Sequence, residues 1–116
     1  MAAKVQFRIR VYRDQNIAIG PGKVALLEAL KDAGSISAAA RILEMSYRRA
    51  WLLIDETNRA LKGPAVVAAA GGAKGGGATL TPIGEELISR YREIEQVSRH
   101  ASQGAMDALT KLFPSA

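Results

Sequence analysis

Residues 34–61 read GSISAAARILEMSYRRAWLLIDETNRAL, and this stretch decides the fold. Gly34 is a helix stop, and Ser35 or Ser37 can cap a new helix through Ala38, Ala39, Ala40, Arg41, Ile42 and Leu43, which are strong helix formers. Glu44 and Met45 interrupt it briefly. Ser46 is a further N-cap candidate, and a helix is predicted from Tyr47 to about Leu61 with Ala50, Trp51, Ile54 and Leu61 on its apolar face. Gly63-Pro64 terminates it. Two helices joined by a tight turn, with small alanines where they approach, describe a helix-turn-helix. The turn delivers Ser46, Tyr47, Arg48 and Arg49 to the first turn of the second helix. In such a motif those positions meet the major groove: the arginines fork onto guanine edges or clamp phosphate, and Ser46 and Tyr47 donate to phosphate oxygens. A helical hairpin with two solvated arginines satisfies the same pattern. Trp51 shares a face with Ile54 and is expected in the core; the chain has too few other aromatics for a base-stacking platform.

Upstream, Val5, Phe7, Ile9 and Val11 alternate with Lys4, Gln6, Arg8, Arg10 and Tyr12, the period of a half-buried strand with a basic outer face. Asp14-Gln15-Asn16 is turn chemistry, and Ile17-Ala18-Ile19 is a short returning strand. After Gly20-Pro21-Gly22 the spacing becomes helical, with Val24, Leu27 and Leu30 as a stripe that ends at Gly34.

Downstream, Ala65-Val66-Val67 and Ala78-Thr79-Leu80 flank a glycine-rich tip, as in a hairpin with a long loop. Thr81-Pro82 is an N-cap followed by proline at the first helical position. Ile83, Leu87, Tyr91, Ile94, Val97 and Ala101 then recur as a heptad-like seam. Gly104 should weaken that helix, with residues 105–113 continuing at an angle. The fold class is therefore mainly α with small β elements. It is a winged helix-turn-helix over residues 1–81, the wing at about 65–80, with an N-terminal strand or hairpin and a long dimerisation helix over residues 82–113.

The tip, AGGAKGGGATLT at residues 70–81, fails as a nucleotide loop: Lys74 follows Ala73 and precedes Gly75, and no Gly-x-Gly-x-x-Gly fits residues 71–77. As a wing, Gly75 and Gly76 let the backbone lie close to sugar-phosphate while Lys74 supplies charge. A flexible linker is the alternative.

Charge follows the same division. The formal net charge is +5, yet residues 1–81 hold twelve Lys/Arg against six Asp/Glu, and residues 82–116 hold four against five. A basic body with a near-neutral association helix suits a duplex-binding homodimer. There is no cysteine and one histidine, His100, so no thiolate metal site and no cofactor is expected. No apolar run approaches the ~20 residues of a membrane span, and the N-terminus lacks a signal-peptide core, so a cytoplasmic protein is expected. No nucleophile–base pair is visible, and an enzyme is not expected. Asp55 and Glu56, one turn beyond the basic cluster, would repel phosphate; Arg59 is in reach of Asp55. These two acids favour the competing function, a protein-interaction adaptor that keeps the scaffold without binding DNA.

These motifs resemble the N-terminal domain of the molybdate-responsive regulator family, ModE. The resemblance rests on GSISAAARILEMSYRRAWLLIDETN with its Ser-Tyr-x-x-Ala-Trp core (Ser46, Tyr47, Ala50, Trp51), and on GGAKGGGATLTPIGEELI, which is similar to the family's glycine wing followed by Leu-Thr-x-x-Gly. It covers residues 5–91. The helix-turn-helix also resembles that of LysR-type regulators, with the same alanine run and linker-helix start. The resemblance implies a homodimeric, sequence-specific transcriptional regulator that reads a palindromic operator. Ser46, Tyr47, Arg48 and Arg49 would be its groove contacts and Lys74, Gly75 and Gly76 its wing. Full-length members of that family carry C-terminal oxyanion-binding domains that sense molybdate. The chain ends at Ala116 after the dimer helix, so molybdate binding is not carried over, and a stand-alone member or one with a separate sensor protein is expected.

Overall fold

The local signals above act as the chain's punctuation in the computed structural model, which describes residues 3–69 and 77–114. The elements run β1 (Val11–Arg13), β2 (Asn16–Ile19), α1 (Pro21–Ala33), α2 (Ile36–Ile42), α3 (Tyr47–Ala60), β3 (Val66–Ala68), β4 (Ala78–Leu80) and α4 (Pro82–Thr110). Gly34 sits at φ 78° and its N–H donates to the Leu30 carbonyl at 2.9 Å, closing α1. Ser35, not Ser37, caps α2 by accepting from the Ala38 N–H at 3.1 Å. Ser46 caps α3 by accepting from the Arg49 N–H at 3.1 Å, and Thr81 caps α4 by accepting from the Gly84 N–H at 3.1 Å. Such caps contribute about 1 kcal/mol each.

The turn between α2 and α3 is closed by two backbone bonds, Met45 N–H to the Ala40 carbonyl at 3.0 Å and Glu44 N–H to the Arg41 carbonyl at 3.2 Å. Glu44 lies between them at φ 56°, the left-handed conformation such a stop requires. Ala39, Ala40 and Ala50 are buried where α2 and α3 meet, which is why small residues recur there. With Leu26, Leu27, Leu30, Ile54 and the wing residues Ala65, Val66 and Ala78 they form one core. A second, smaller core joins Ala18, Ile19, Val24 and Tyr91, holding the N-terminal hairpin and α4 against the start of α1.

Both sheets are two-stranded and antiparallel, pairing Val66 with Leu80 and Ala68 with Ala78 in the wing. In the N-terminal hairpin Tyr12 pairs with Ile17 and Arg13 with Asn16. The long first strand expected from residue 4 is shortened, because the regular ladder begins only at Val11. Upstream of it Val5, Phe7 and Ile9 are still half-buried while Lys4, Gln6, Arg8 and Arg10 are exposed. The alternation is kept without a partner strand because α4 supplies the contact. The Tyr91 hydroxyl donates to the Ile9 carbonyl at 2.8 Å, and Arg99 stacks over the Phe7 ring at 5.0 Å.

Two expectations are corrected. Trp51 is 46% exposed and is no core residue. The buried stripe of α3 is Ala50, Ile54 and Thr57, at i, i+4 and i+7, and Trp51 falls on the next stripe, toward the wing. Gly104 does not interrupt α4, which runs unbroken to Thr110. The predicted seam also divides. Ile83, Leu87 and Tyr91 pack on their own body, whereas Ile94, Val97 and Ala101 face solvent. No helix among the described residues is long and apolar enough to cross a membrane.

Candidate nucleic-acid interface

The first turn of α3 brings together the groove residues named from the sequence. Ser46, Tyr47, Arg48 and Arg49 are four consecutive exposed residues, and the next, Ala50, is fully buried against the core. The Ser46 cap holds this turn in register while Ala50 fixes which way it faces. Neither arginine enters an ion pair among the described residues, so both guanidiniums are available to phosphate or to base edges. The wing residues Lys74, Gly75 and Gly76 lie outside the described residues. The stem that carries them ends in an added bond, Ala69 N–H to the Gly77 carbonyl at 2.9 Å.

The wing is held at three places, two on the helix-turn-helix and one across its own base, where Thr81 meets Ala65. Ala78 N–H donates to the Gly34 carbonyl at 3.0 Å, and Thr81 N–H donates to the Ala65 carbonyl at 2.9 Å. The third fastening is Asn58 of α3, whose Oδ1 accepts from the N–H groups of Ala65 at 2.8 Å and Val66 at 3.1 Å. Its Nδ2 donates back to the Val66 carbonyl at 3.1 Å. Sequence reasoning missed Asn58. A carboxamide near a helix end, just before a Gly-Pro break, is the signal that could have found it.

Tyr47 and Trp51 stand between α3 and the wing, over a hollow of about 440 Å³ lined also by Ile36, Asn58, Val67 and Ala78. Tyr47 is 54% exposed. An exposed aromatic pair beside a basic helix start gives apolar area for sugar or thymine methyl contact next to charge for phosphate.

The two acids of α3 singled out from the sequence, Asp55 and Glu56, are both paired. Asp55 binds Arg59 across one turn, and the Glu56 carboxylate lies 3.2 Å from the Lys23 ammonium. Lys23 is buried at the start of α1 and donates to the Ile17 carbonyl at 2.7 Å, so Glu56 completes a junction of α1, α3 and the N-terminal hairpin. The two acids that favoured an adaptor role are thus each paired within the chain, with the Glu56 side chain still 54% exposed. Along α4, Arg92 donates through Nε to Glu28 of α1 at 2.9 Å and through Nη1 to Glu95 at 2.6 Å. That guanidinium holds the Glu28 carboxyl below its ordinary range, partly offset by burial, and the Arg92 value is raised in return. Burial pushes the Tyr91 phenol up, as does the nearby Glu95. No group of three His, Asp or Glu side chains able to hold a metal gathers among the described residues.

No protein-family model matches the chain. It is 52% identical over 77 residues to a molybdenum-pterin-binding protein, MopB, of Rhodobacter capsulatus, covering 66% of this chain and 28% of that protein. It is 36% identical over 110 residues to the molybdenum transport protein ModE of Azotobacter vinelandii, covering 95% of this chain and 39% of the relative. With the DNA-binding transcriptional dual regulator ModE of Escherichia coli K12 the identity is 34% over 101 residues, 87% of this chain and 38% of the other. The chain thus spans well under half the length of these relatives. Among solved structures, the DNA-binding domain of CbnR, in a crystal structure of its DNA complex, superposes with a TM-score of 0.59 at 18% identity, covering 76% of this chain and 95% of that one. At that identity the likeness establishes the fold alone. Fold, capped turn and matched relatives agree: the chain is a winged helix-turn-helix domain related in sequence to part of the ModE regulators.

Proposed function

We propose that the chain is a non-enzymatic transcriptional regulator that acts in the cytoplasm as a homodimer and binds double-stranded DNA with sequence preference. The observation that carries this reading is the first turn of α3, where Ser46, Tyr47, Arg48 and Arg49 are all exposed and the Ser46 cap and the buried Ala50 hold them in place. A helix start of this kind enters the major groove, with Arg48 and Arg49 reading bases and Ser46 and Tyr47 anchoring phosphate. The relatives named as DNA-binding and transcriptional regulators support the same assignment. Lys74, with Gly75 and Gly76, acts from the wing as a backbone contact without base preference.

The dimer forms through α4, whose 29 residues extend about 43 Å at ~1.5 Å per residue and carry exposed Ile94 and Val97. Two-fold pairing would set two recognition helices about one duplex turn apart, ~34 Å.

Selection of preferred duplexes from a random pool tests the reading; the expected result is a palindromic consensus. Arg48→Ala with Arg49→Ala should then lower affinity and flatten that preference. Unchanged affinity and preference in the double variant would remove α3 from the recognition role. Lys74→Ala should weaken binding to all sequences alike.

A further inference from the structure

Helix α3 is flanked on both sides. Tyr47, Trp51 and Asn58 face the wing, while Arg49, Leu53 and Glu56 face the N-terminal hairpin across a second and larger cleft of about 860 Å³. Arg8, Arg10 and Arg13 stand on the far wall of that cleft. Among the cations that line it, Lys23 is engaged by Glu56 and Arg59 by Asp55, and Arg13 donates to the Ala60 carbonyl at 3.0 Å. Arg8, Arg10 and Arg49 enter no ion pair among the described residues, and all three are exposed. Asp14, at the hairpin turn, is the remaining carboxylate of the rim, so positive charge is in excess.

The placement of Arg8 and Arg10 is built in. Phe7 and Ile9 are turned inward, and α4 holds them through the Arg99 stack and the Tyr91 hydroxyl bond. The period of two then turns Arg8 and Arg10 outward.

We infer that this cleft is a second phosphate clamp: Arg8 and Arg10 of the N-terminal segment, with Arg49 of α3, seat the phosphodiester backbone of a duplex on the side of α3 opposite the wing. Arg49 belongs both to the groove-entering turn and to the cleft rim. A duplex engaged by that turn therefore brings one backbone to the wing and the other to the cleft. A helix in a groove ~12 Å wide has a phosphate wall on each side, and guanidinium forks suit phosphate oxygens. Arg8 and Arg10 supply affinity and orientation but no base reading, while Arg49 stands where the clamp meets the groove. The inference rests on the proposed duplex-binding function.

The test measures duplex affinity against salt for the full chain, for Arg8→Gln and Arg10→Gln singly and together, and for Lys111→Gln at the end of α4 as a charge control. The probes are a duplex selected from a random pool and a scrambled duplex of equal length. Each single variant should lower the slope of log affinity against log salt by about 0.9 per chain, and the double variant by about 1.8, with equal losses on both probes. Lys111→Gln should leave the slope as it is. A steep wild-type slope that persists in the double variant overturns the clamp and leaves the α3 reading standing. If the wild type binds neither duplex at low salt, the function and the clamp fall together. Saturable binding of inorganic phosphate that the double variant loses, with an unchanged duplex slope, gives the cleft to a free oxyanion and overturns the clamp. Far-UV circular dichroism of the variants should match the wild type, since neither side chain is buried.

Discussion

Asn58 and Val66 exchange two hydrogen bonds across the junction of α3 and the wing, Val66 N–H to Asn58 Oδ1 and Asn58 Nδ2 to the Val66 carbonyl, each at 3.1 Å. A third, from Ala65 N–H at 2.8 Å, makes this one side chain a link between α3 and β3. Ala65 and Val66 are buried, so without the carboxamide their amides lose partners that water cannot easily replace.

Asn58→Ala should therefore cost about 2–3 kcal/mol, read as a lower urea midpoint. Asn58→Asp, which keeps the acceptors and loses the donor, should fall between. A midpoint unchanged in Asn58→Ala would show that the wing is held by its ladder alone.

The same junction explains the glycine at position 84. A Cβ there would lie 2.3 Å from the Ala65 carbonyl oxygen, and that carbonyl accepts from the Thr81 N–H at 2.9 Å. The obstacle is backbone, so it cannot rotate away. Gly84→Ala should lose about 2 kcal/mol or more, with a melting temperature lower by several degrees. Gly22→Ala is the control, since nothing lies within 4 Å of the position its Cβ would take. Equal melting temperatures for the two variants would contradict the close approach.

Much of this architecture was legible in the residues because it is local. Ser46, Thr81-Pro82 and Gly34 act within one turn of themselves, and the alanines of α2 report a close helix contact directly. The pairing of Arg59 with Asp55 was also readable at i,i+4. What was not legible depends on distant partners. Trp51 and Ile54 both fit an apolar face at helical spacing; which of them is buried depends on where α1 lies and where the wing leaves room. The Asn58 link and the Lys23–Glu56 junction join separate elements, and no periodicity marks them. The seam of α4 was one stripe in sequence, and only the body's end near Tyr91 divides it into an occupied and a free half. The contact of Lys74, Gly75 and Gly76 with a duplex remains a proposal that rests on sequence.

Glu28 and Arg92 tie α1 to α4, and their pairing sets an acid limit. The Arg92 hydrogen bonds hold the folded-state carboxyl value of Glu28 below its unfolded value of about 4.3. Its contribution is therefore present above about pH 4.3 and is lost as pH falls through the lower folded value. Both side chains are more than a third exposed, so screening limits the effect to about 1 kcal/mol or less. Glu28→Gln should be slightly less stable at neutral pH, with a shallower loss of stability as pH falls below the ordinary carboxylate range. Equal pH dependence in variant and wild type, followed by urea midpoints, would remove Glu28 from the acid transition.

The free half of the α4 seam is where the proposed dimer is most open to test. Val97 is 61% exposed and Ile94 46%, one turn apart on the same stripe, and Leu109 continues apolar exposure near the helix end. Next to them Arg90 is paired with Glu86 and Glu93, which leaves the stripe as the uncommitted apolar part of α4. Across a two-fold axis Val97→Glu sets a carboxylate into the seam of each chain. Burying either without a cation is costly, while a single chain, in which Val97 already faces water, should fold as before. The expected outcome is a dimeric wild type by light scattering and a monomeric, folded Val97→Glu. Loss of bivalent engagement should weaken binding to a palindromic duplex by about 10²-fold or more, but leave binding to an isolated half-site nearly unchanged. A Val97→Glu chain that stays dimeric would move the interface away from this stripe, and a wild type that is monomeric at micromolar concentration would end the α4 pairing altogether.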